Sequence, residues 1–248
     1  MQDRYAGDVG DFMKFGLLRH LAAPSEAGGA GLSVGLNWYL APDEDHNADG
    51  KHIAYLDSYN RQHQSLASCD SDLMERLAKV VATARSVEAL DASGALPAGA
   101  SAHSEALAPR DGLAGRDAWH ARALDALAGA EVVCADPDNG ICLLRNTSKL
   151  HKYALLGELA DYARRGQSLV VYQHAHRSAD ARSQATRRLD EVAAGVGQTP
   201  VAAIIARRGS CRFFLVTATA AHRDPLARAL RQYAARWRPH AQVAYPAG

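Results

Sequence analysis

The residues with the clearest chemical potential form one short run, Asp136-Pro137-Asp138-Asn139, which follows the apolar segment 131–135. A strand that ends in Asp-Pro presents a carboxylate at the edge of a sheet, and the proline ring fixes the backbone so that neighbouring carbonyls can point into the crevice. Carboxylate and carbonyl oxygens placed in this way accept hydrogen bonds from an amino group. Tight turns also favour Pro, Asp, Asn and Gly, so a simple turn is the alternative interpretation.

A second polar run, residues 173–176, follows the next strand-like apolar segment along the chain. Because side chains alternate along a strand, His174 and His176 point to the same side. One of these histidines can act as a base near neutral pH, or both can bind a metal ion if Asp136 and Asp138 complete the ligand set. Polar residues at a strand end that simply face water are the other interpretation.

A third run, residues 5–15, places glycines, aspartates and a lysine at the start of the first helical pattern. Asp11 stands where a helix N-cap is expected. Lys14 falls off the apolar face but near the helix start, where the helix dipole does not favour a cation. We therefore expect Lys14 to meet a ligand carboxylate.

Alternating helices and strands must position these three runs. Residues 41–50 form an acidic loop directly after the first strand, and loops at this edge of an open parallel sheet bind ligands. Residues 92–115 are rich in Ala, Gly, Ser and Pro without a clear period. The predicted helices are 11–21, 51–88, 117–127, 153–164 and 179–194, and the predicted strands are 32–40, 131–135, 168–172, 201–206 and 211–216.

The end of the chain carries the clearest signal for topology. Two strand-like runs, 201–206 and 211–216, are separated by four residues only, which predicts an antiparallel hairpin. Strand-helix repeats that finish in such a hairpin indicate an α/β fold with a doubly wound, mostly parallel, Rossmann-like sheet, the outline of class I methyltransferases. We expect one domain over residues 1–248, with a helical insertion at about 51–115.

Composition excludes several classes of protein. The 248 residues are 48% hydrophobic and 22% charged, as in ordinary globular domains, and no apolar run is long enough to cross a bilayer. The four cysteines form no close pair and the N-terminus lacks the features of a secretory signal, so we expect a soluble, cytoplasmic protein with reduced thiols and no membrane partner. The formal charge is +1, although the arginine-rich stretch 177–238 can either solvate helix faces or contact nucleic acid.

Three separated segments together resemble a known family, the adenine-N6 methyltransferases that modify large-subunit ribosomal RNA. Residues 5–14 are similar to the family's N-terminal turn and helix, which carry Ala-Gly-Asn and Ala-Asp-x-x-Lys. Residues 136–139 are similar to its Asp-Pro-Pro-Tyr motif. The helix 153–164 and the strand that leads to Tyr172 are similar to the elements that follow that motif.

The resemblance implies an S-adenosylmethionine-dependent transferase that methylates an amino group of a nucleic acid. It implies that Lys14 contacts the cofactor carboxylate, that Asp136 accepts a hydrogen bond from the target amine, and that Tyr172 or Trp38 lines the pocket. The residues expected to take part in catalysis are Asp136, Asp138, Asn139 and His174. The residues expected to bind the cofactor are Lys14, Asp8, Asn37, Trp38 and Asp43.

Two departures from the family keep other functions open. The first strand is followed by an Asn-Trp-Tyr-Leu-Ala-Pro sequence in place of a glycine-rich loop, and Asp138-Asn139 replaces Pro-Tyr. The acidic residues Asp43, Glu44 and Asp45 can gather a divalent cation with the later motifs, as in a metal-dependent hydrolase or nuclease. That metal site would use Asp136, Asp138, His174 and His176. A non-catalytic module that binds nucleic acid through its arginines is the third alternative.

Overall fold

A seven-stranded sheet forms the centre of the protein. The structure, a computed structural model, describes residues 1–24, 29–44, 50–142, 149–176 and 179–244. Within these residues the strand order is β2-β1-β3-β6-β8-β7-β9. The first four strands of that order are mutually parallel, and β8 lies antiparallel to both of its neighbours. Five of the seven strands therefore run in one direction, because two antiparallel pairings return β7 to the direction of β6.

Helices alternate with the strands along the chain, as a doubly wound fold requires. None of the helices in the described residues is long and apolar enough to span a membrane. The strands are β1 (Val34–Asn37), β2 (Ser101–His103), β3 (Val132–Ala135), β4 (Ile141–Cys142), β5 (Ala154–Leu155), β6 (Ser168–His174), β7 (Thr199–Arg208), β8 (Ser210–Ala218) and β9 (Ala241–Val243). The helices are α1 (Val9–Ala22), α2 (His63–Ala67), α3 (Ser71–Thr83), α4 (Val87–Ala92), α5 (Gly112–Ala126), α6 (Leu156–Arg164), α7 (Ala181–Val196) and α8 (Arg223–Arg236).

The sheet is buried on both faces, which explains why its strands read as continuous apolar runs. On one face Cys134 and Val170 pack in a cluster with α1, α3 and α8. On the other face Val133 and Val171 pack in a cluster with α5, α6 and α7. Successive residues of one strand alternate between the two clusters. Neighbouring side chains of a strand therefore pack against different layers of helices.

The predicted fold class is confirmed at the level of a mostly parallel, Rossmann-like α/β sheet. The hairpin is also confirmed, since β7 and β8 pair from residue 199 to residue 218. Five elements were missed, namely α8 and the strands β2, β4, β5 and β9. The stretch 51–115 holds three helices and the start of a fourth, but it also contributes β2, which pairs with β1. The four cysteines lie in the described residues and form no disulfide with one another.

Helix α1 begins two residues earlier than the apolar spacing predicts. Asp8 is its N-cap, and the Asp8 carboxylate accepts a hydrogen bond from the Gly10 backbone N–H at 2.7 Å. The assignment of Asp11 as the cap is therefore wrong. Asp11 lies in the first turn, where its carboxylate accepts a hydrogen bond from the Gly7 backbone N–H at 2.9 Å. Because Gly7 binds one carboxylate oxygen of Asp11, the other oxygen can bind a different partner.

Close packing of α1 against the last helix gives a first testable prediction. A Cβ added at Gly16 would lie 2.0 Å from the indole of Trp237, whereas a Cβ at Gly157 in α6 meets nothing within 4 Å. We expect Gly16→Ala to lower the free energy of unfolding by about 1–3 kcal/mol, because the buried indole must move. Gly157→Ala is the control and should raise stability by up to about 1 kcal/mol. Urea unfolding measures both changes. A free energy of unfolding that is the same in Gly16→Ala as in the wild type would contradict this packing.

Candidate active site

Four chain segments converge at the carboxyl edge of the parallel strands. The edge receives the ends of β3 and β6, the first residues of β8 and the start of α1. Between them lies a cavity of about 360 Å³, a size that suits a small molecule or a single nucleotide. The charged and titratable side chains of its wall include Asp8, Lys14, Asp136, Asp138, His174 and Arg212.

A buried lysine joins two carboxylates at the floor of the cavity. The Lys14 Nζ donates to Asp11 Oδ1 and to Asp136 Oδ2, both at 2.8 Å, and the exposed fraction of each of these side chains is 6% or less. The ammonium also lies 4.4 Å from the ring centroid of Trp38. Burial alone would lower the pKa of Lys14, but Asp11 and then Asp136 raise it above its ordinary value. Lys14 is therefore a fixed cation at physiological pH.

Burial has the opposite effect on the acidic partner in α1. It raises the pKa of Asp11 above its ordinary value, and the charge of Asp136 adds to this, while Lys14 lowers it. Asp11 and Asp136 share one ammonium, so both buried carboxylates rely on Lys14 for a compensating charge. The pair of α1 and β3 is held together by this shared charge.

Asp138 is paired through a separate cation. Its Oδ2 accepts from Gln2 Nε2 at 2.8 Å and from Lys152 Nζ at 3.1 Å. Burial works to raise the pKa of Asp138, but the charge of the chain's amino group, then Gln2 and Lys152, bring it below its ordinary value. Lys152 also binds Glu44 at 2.5 Å. Asp138 is therefore an ionised carboxylate whose position is fixed by Gln2 and Lys152.

His174 is held as a neutral imidazole. Its Nε2 lies 3.0 Å from the carbonyl oxygen of Asp138, and since a carbonyl only accepts, Nε2 carries the proton. Burial lowers the pKa of His174, and the nearby Arg212 lowers it further. In the neutral ring Nδ1 is an acceptor, and the Tyr172 hydroxyl lies 3.4 Å from it. Burial raises the pKa of Tyr172 to about 12, so that hydroxyl keeps its proton at neutral pH.

Arg212 also lines the cavity and was not expected there from the sequence. Its guanidinium donates to Ser210 Oγ at 2.8 Å, lies 3.4 Å from the Asp8 carboxylate, and donates to the Tyr172 hydroxyl. A Cβ at Gly10 would lie 2.8 Å from this guanidinium, so glycine is needed for the close approach. The pairing of β8 with β6 was the missed signal, because its register places Arg212 directly opposite His174.

Six of the expected site residues line this one cavity. They are Asp8, Lys14, Asp136, Asp138, Asn139 and His174. The crevice shared by neighbouring strands, on which the sequence argument depended, therefore contains both expected motifs and the expected lysine. The ammonium of Lys14, however, binds protein carboxylates in this structure. Lys152 was also missed, because nothing in its local sequence indicates a contact with Asp138.

Three expected cofactor-binding residues lie outside the cavity wall. Asn37 is fully buried, and its amide donates to the Tyr162 hydroxyl at 3.0 Å. Trp38 is also fully buried, and its indole N–H donates to Asp91 at 2.9 Å. The carboxylate of Asp43 accepts a backbone hydrogen bond from Arg4 at 3.3 Å. The described residues at the end of β1 thus fill that side of the edge with their own side chains.

The alternative metal site is not assembled in the described part of the chain. His176 is not among the residues of the cavity wall, and its backbone N–H and carbonyl both bind the amide of Gln184. No group of three or more His, Cys, Asp or Glu side chains is placed to hold a metal ion among residues that the structure describes. Asp45, the last member of the expected acidic loop, lies outside the described residues.

The fold and the cavity define an α/β protein with a Rossmann-like sheet and one polar site at its carboxyl edge. No family model matches the chain, and no curated protein or solved structure is significantly similar to it. Function must therefore be inferred from the chemistry of the site.

The shared ammonium gives a second prediction. We expect Lys14→Met to lower the free energy of unfolding by about 3–5 kcal/mol at pH 7, because two buried carboxylates lose their cation. Lys14 lowers the pKa of Asp11 against the effect of burial, so without that cation the pKa of Asp11 in the folded variant rises above its value in the folded wild type. The folded variant therefore takes up this proton at a higher pH than the folded wild type, and the deficit should shrink as the pH falls through the pKa of Asp11 in the variant.

Urea unfolding of the variant between pH 5 and pH 8 measures this deficit. Lys79→Met on α3 is the matched control, because Lys79 is exposed and its loss should change stability little at any pH. A deficit in Lys14→Met that is small, or that does not vary with pH, contradicts the shared-charge arrangement.

Proposed function

We propose that this protein is an S-adenosylmethionine-dependent methyltransferase that acts on an amino group of a nucleic acid. The observation that carries the proposal is the Asp136 carboxylate, which stands at the end of β3 in the cavity wall and is paired with Lys14. The reversal of β8 between β6 and β7 further supports it, because the sequence resemblance implies that sheet outline. The resemblance and the site lead to the same residue.

The carboxylate of Asp136 is suited to orient an amine. Within the described part of the chain it receives a side-chain hydrogen bond at Oδ2, from Lys14, which leaves Oδ1 to accept from a ligand N–H. The neutral His174 and the Tyr172 ring lie on the same wall. A target base has to leave its stack to bring its amino group into a cavity at the sheet edge. The enzyme then acts mainly by holding the amine in line with the methyl group.

Side chains of the cavity fit a ligand with a positive charge. Its wall carries four carboxylates, from Asp8, Asp11, Asp136 and Asp138, against the side-chain cations of Lys14 and Arg212. S-adenosylmethionine supplies a methyl group on a cationic sulfur. The chain would hold it with the carboxylates near the start of α1, and Lys14 keeps a third N–H for the carboxylate of the cofactor. Asn37, Trp38 and Asp43 do not fit a role in holding it.

A nucleic-acid partner is supported by exposed arginines. Arg187 on α7 has an exposed side-chain fraction of 64%, and Arg207 at the tip of the β7–β8 hairpin is also exposed. The hairpin tip adjoins the cavity through Ser210. A guanidinium at the hairpin tip can bind a phosphate while a base enters the cavity, and this predicts that binding weakens as salt rises.

Calorimetry and a transfer assay test the proposal. We expect the wild-type protein to bind S-adenosylmethionine and to transfer labelled methyl groups to RNA or DNA. Asp136→Asn should lower the transfer rate by at least about 100-fold, because its amide no longer offers a charged acceptor to the amine. Asp125→Asn is the control, since Asp125 is 81% exposed on α5 and is not among the residues that line the cavity.

Other results would favour the rival functions. Absence of heat with S-adenosylmethionine, together with thermal stabilisation by Mn²⁺ or Mg²⁺, would overturn the proposal in favour of a metal-dependent hydrolase. Salt-sensitive nucleic-acid binding without either ligand effect would indicate the non-catalytic module.

A further inference from the structure

A buried ion pair lies under the side of the sheet that α5 and α6 cover. Arg116 of α5 and Glu158 of α6 form two hydrogen bonds, from Nε to Oε1 at 2.5 Å and from Nη2 to Oε2 at 2.8 Å. Their side chains are 3% and 7% exposed. Removing two charges from water costs several kcal/mol for each ion, so a pair this deep requires additional partners. Those partners are what connect it to the cavity.

Arg116 donates hydrogen bonds to backbone carbonyls on both sides of Lys152. Its Nη1 donates to the Leu150 carbonyl at 2.8 Å and its Nη2 donates to the Tyr153 carbonyl at 2.6 Å. Lys152 in turn binds Asp138 through Nζ, and its carbonyl accepts from the Asn139 N–H at 2.8 Å. The short strands β4 and β5 continue this pairing. The guanidinium therefore fixes the segment that holds Asp138 and Asn139.

Glu158 reaches the end of β1 in the same way. Its Oε2 accepts from the Tyr39 hydroxyl at 3.2 Å and from the Leu155 N–H at 3.1 Å. Tyr39 has a φ of 44°, and it is the one non-glycine residue of the described chain with a positive φ. Such a backbone persists only where its surroundings hold it, and here the tyrosine ring also packs 5.0 Å from that of Trp119.

We infer that Arg116 and Glu158 are positioning residues for the cavity, which set the place of Lys152 and Tyr39 and, through them, of Asp138 and Asn139. The inference rests on the proposed function only for what Asp138 and Asn139 do to a ligand. An arginine is required at this place because its planar fork donates to two carbonyls and one carboxylate at once. A lysine, as a single point charge, cannot span these acceptors.

Hydrogen exchange of the 248-residue chain tests the positioning role without any ligand. In Arg116→Lys we expect the amides of 139–142 and 149–155 to exchange at least about 10-fold faster, because the segment loses hydrogen bonds from the guanidinium to its carbonyls. The β7–β8 hairpin should keep its wild-type exchange. The matched control is Arg122→Lys, because Arg122 lies on the same helix as Arg116 but forms an exposed pair with Glu105. This variant should leave the exchange rates of all of these amides unchanged.

Titration of Asp138 by carboxyl NMR gives a second readout that global destabilisation would not produce. Lys152 helps to lower the pKa of Asp138, so the pKa should rise in Arg116→Lys as Lys152 leaves its place. Glu158→Gln keeps the shape of the pair and should show a smaller change of the same sign. In the transfer assay, Arg116→Lys should lower kcat more than it raises KM for S-adenosylmethionine.

The outcomes separate the two proposals. Faster exchange spread evenly over the whole chain, or an unchanged pKa of Asp138, would show that the ion pair only stabilises the fold and would overturn the positioning role. If the wild-type protein binds no S-adenosylmethionine, the proposed function fails. The exchange and titration experiments still decide the role of Arg116 in that case.

Discussion

The shared ammonium of Lys14 is the interaction on which the site depends. A lysine buried in the interior would lose its charge unless carboxylates compensate for the lost water, and here two of them do so at 2.8 Å. One carboxylate, Asp11, belongs to the first helix, and the other, Asp136, belongs to the end of β3. The ion pair therefore ties the N-terminal helix to the sheet edge, and the cavity is the space that this attachment leaves between α1 and the neighbouring strand ends.

The remaining polar groups form a chain of fixed protonation states around that space. Asp138 is ionised because the chain's amino group and Lys152 lie close to its carboxylate. Its backbone carbonyl accepts a hydrogen bond from His174 and so keeps the proton of that ring on Nε2. Since burial disfavours the charged imidazole, the ring presents a neutral acceptor towards Tyr172. A site with its charges set before the ligand arrives needs little reorganisation, which is the condition under which polar groups contribute most to catalysis.

Sequence reasoning succeeded where one local pattern decided the outcome. Apolar runs identified β3 and β6, and parallel neighbours deliver their ends to one edge, so Asp136 and His174 could be placed together. It failed where a long-range contact decides. The strand Ser101–His103 carries no β-branched residue, and only its pairing with β1 makes it a strand. Lys152 reaches Asp138 because Arg116 holds its backbone, a contact between helices and loops that no local spacing encodes.

The end of β1 differs from the glycine-rich loop of the family that the sequence resembles. A glycine-rich loop at that place would leave room for a ligand against the backbone. This chain places Tyr39 in a left-handed conformation there, and Glu158 and Trp119 hold its side chain on the α5 side of the sheet. The edge is consequently filled on that side and open towards α1. Because β1 offers a closed surface, a ligand in the cavity meets side chains of α1, β6, β8, the Asp136–Asn139 turn and the segments around Tyr5 and His52.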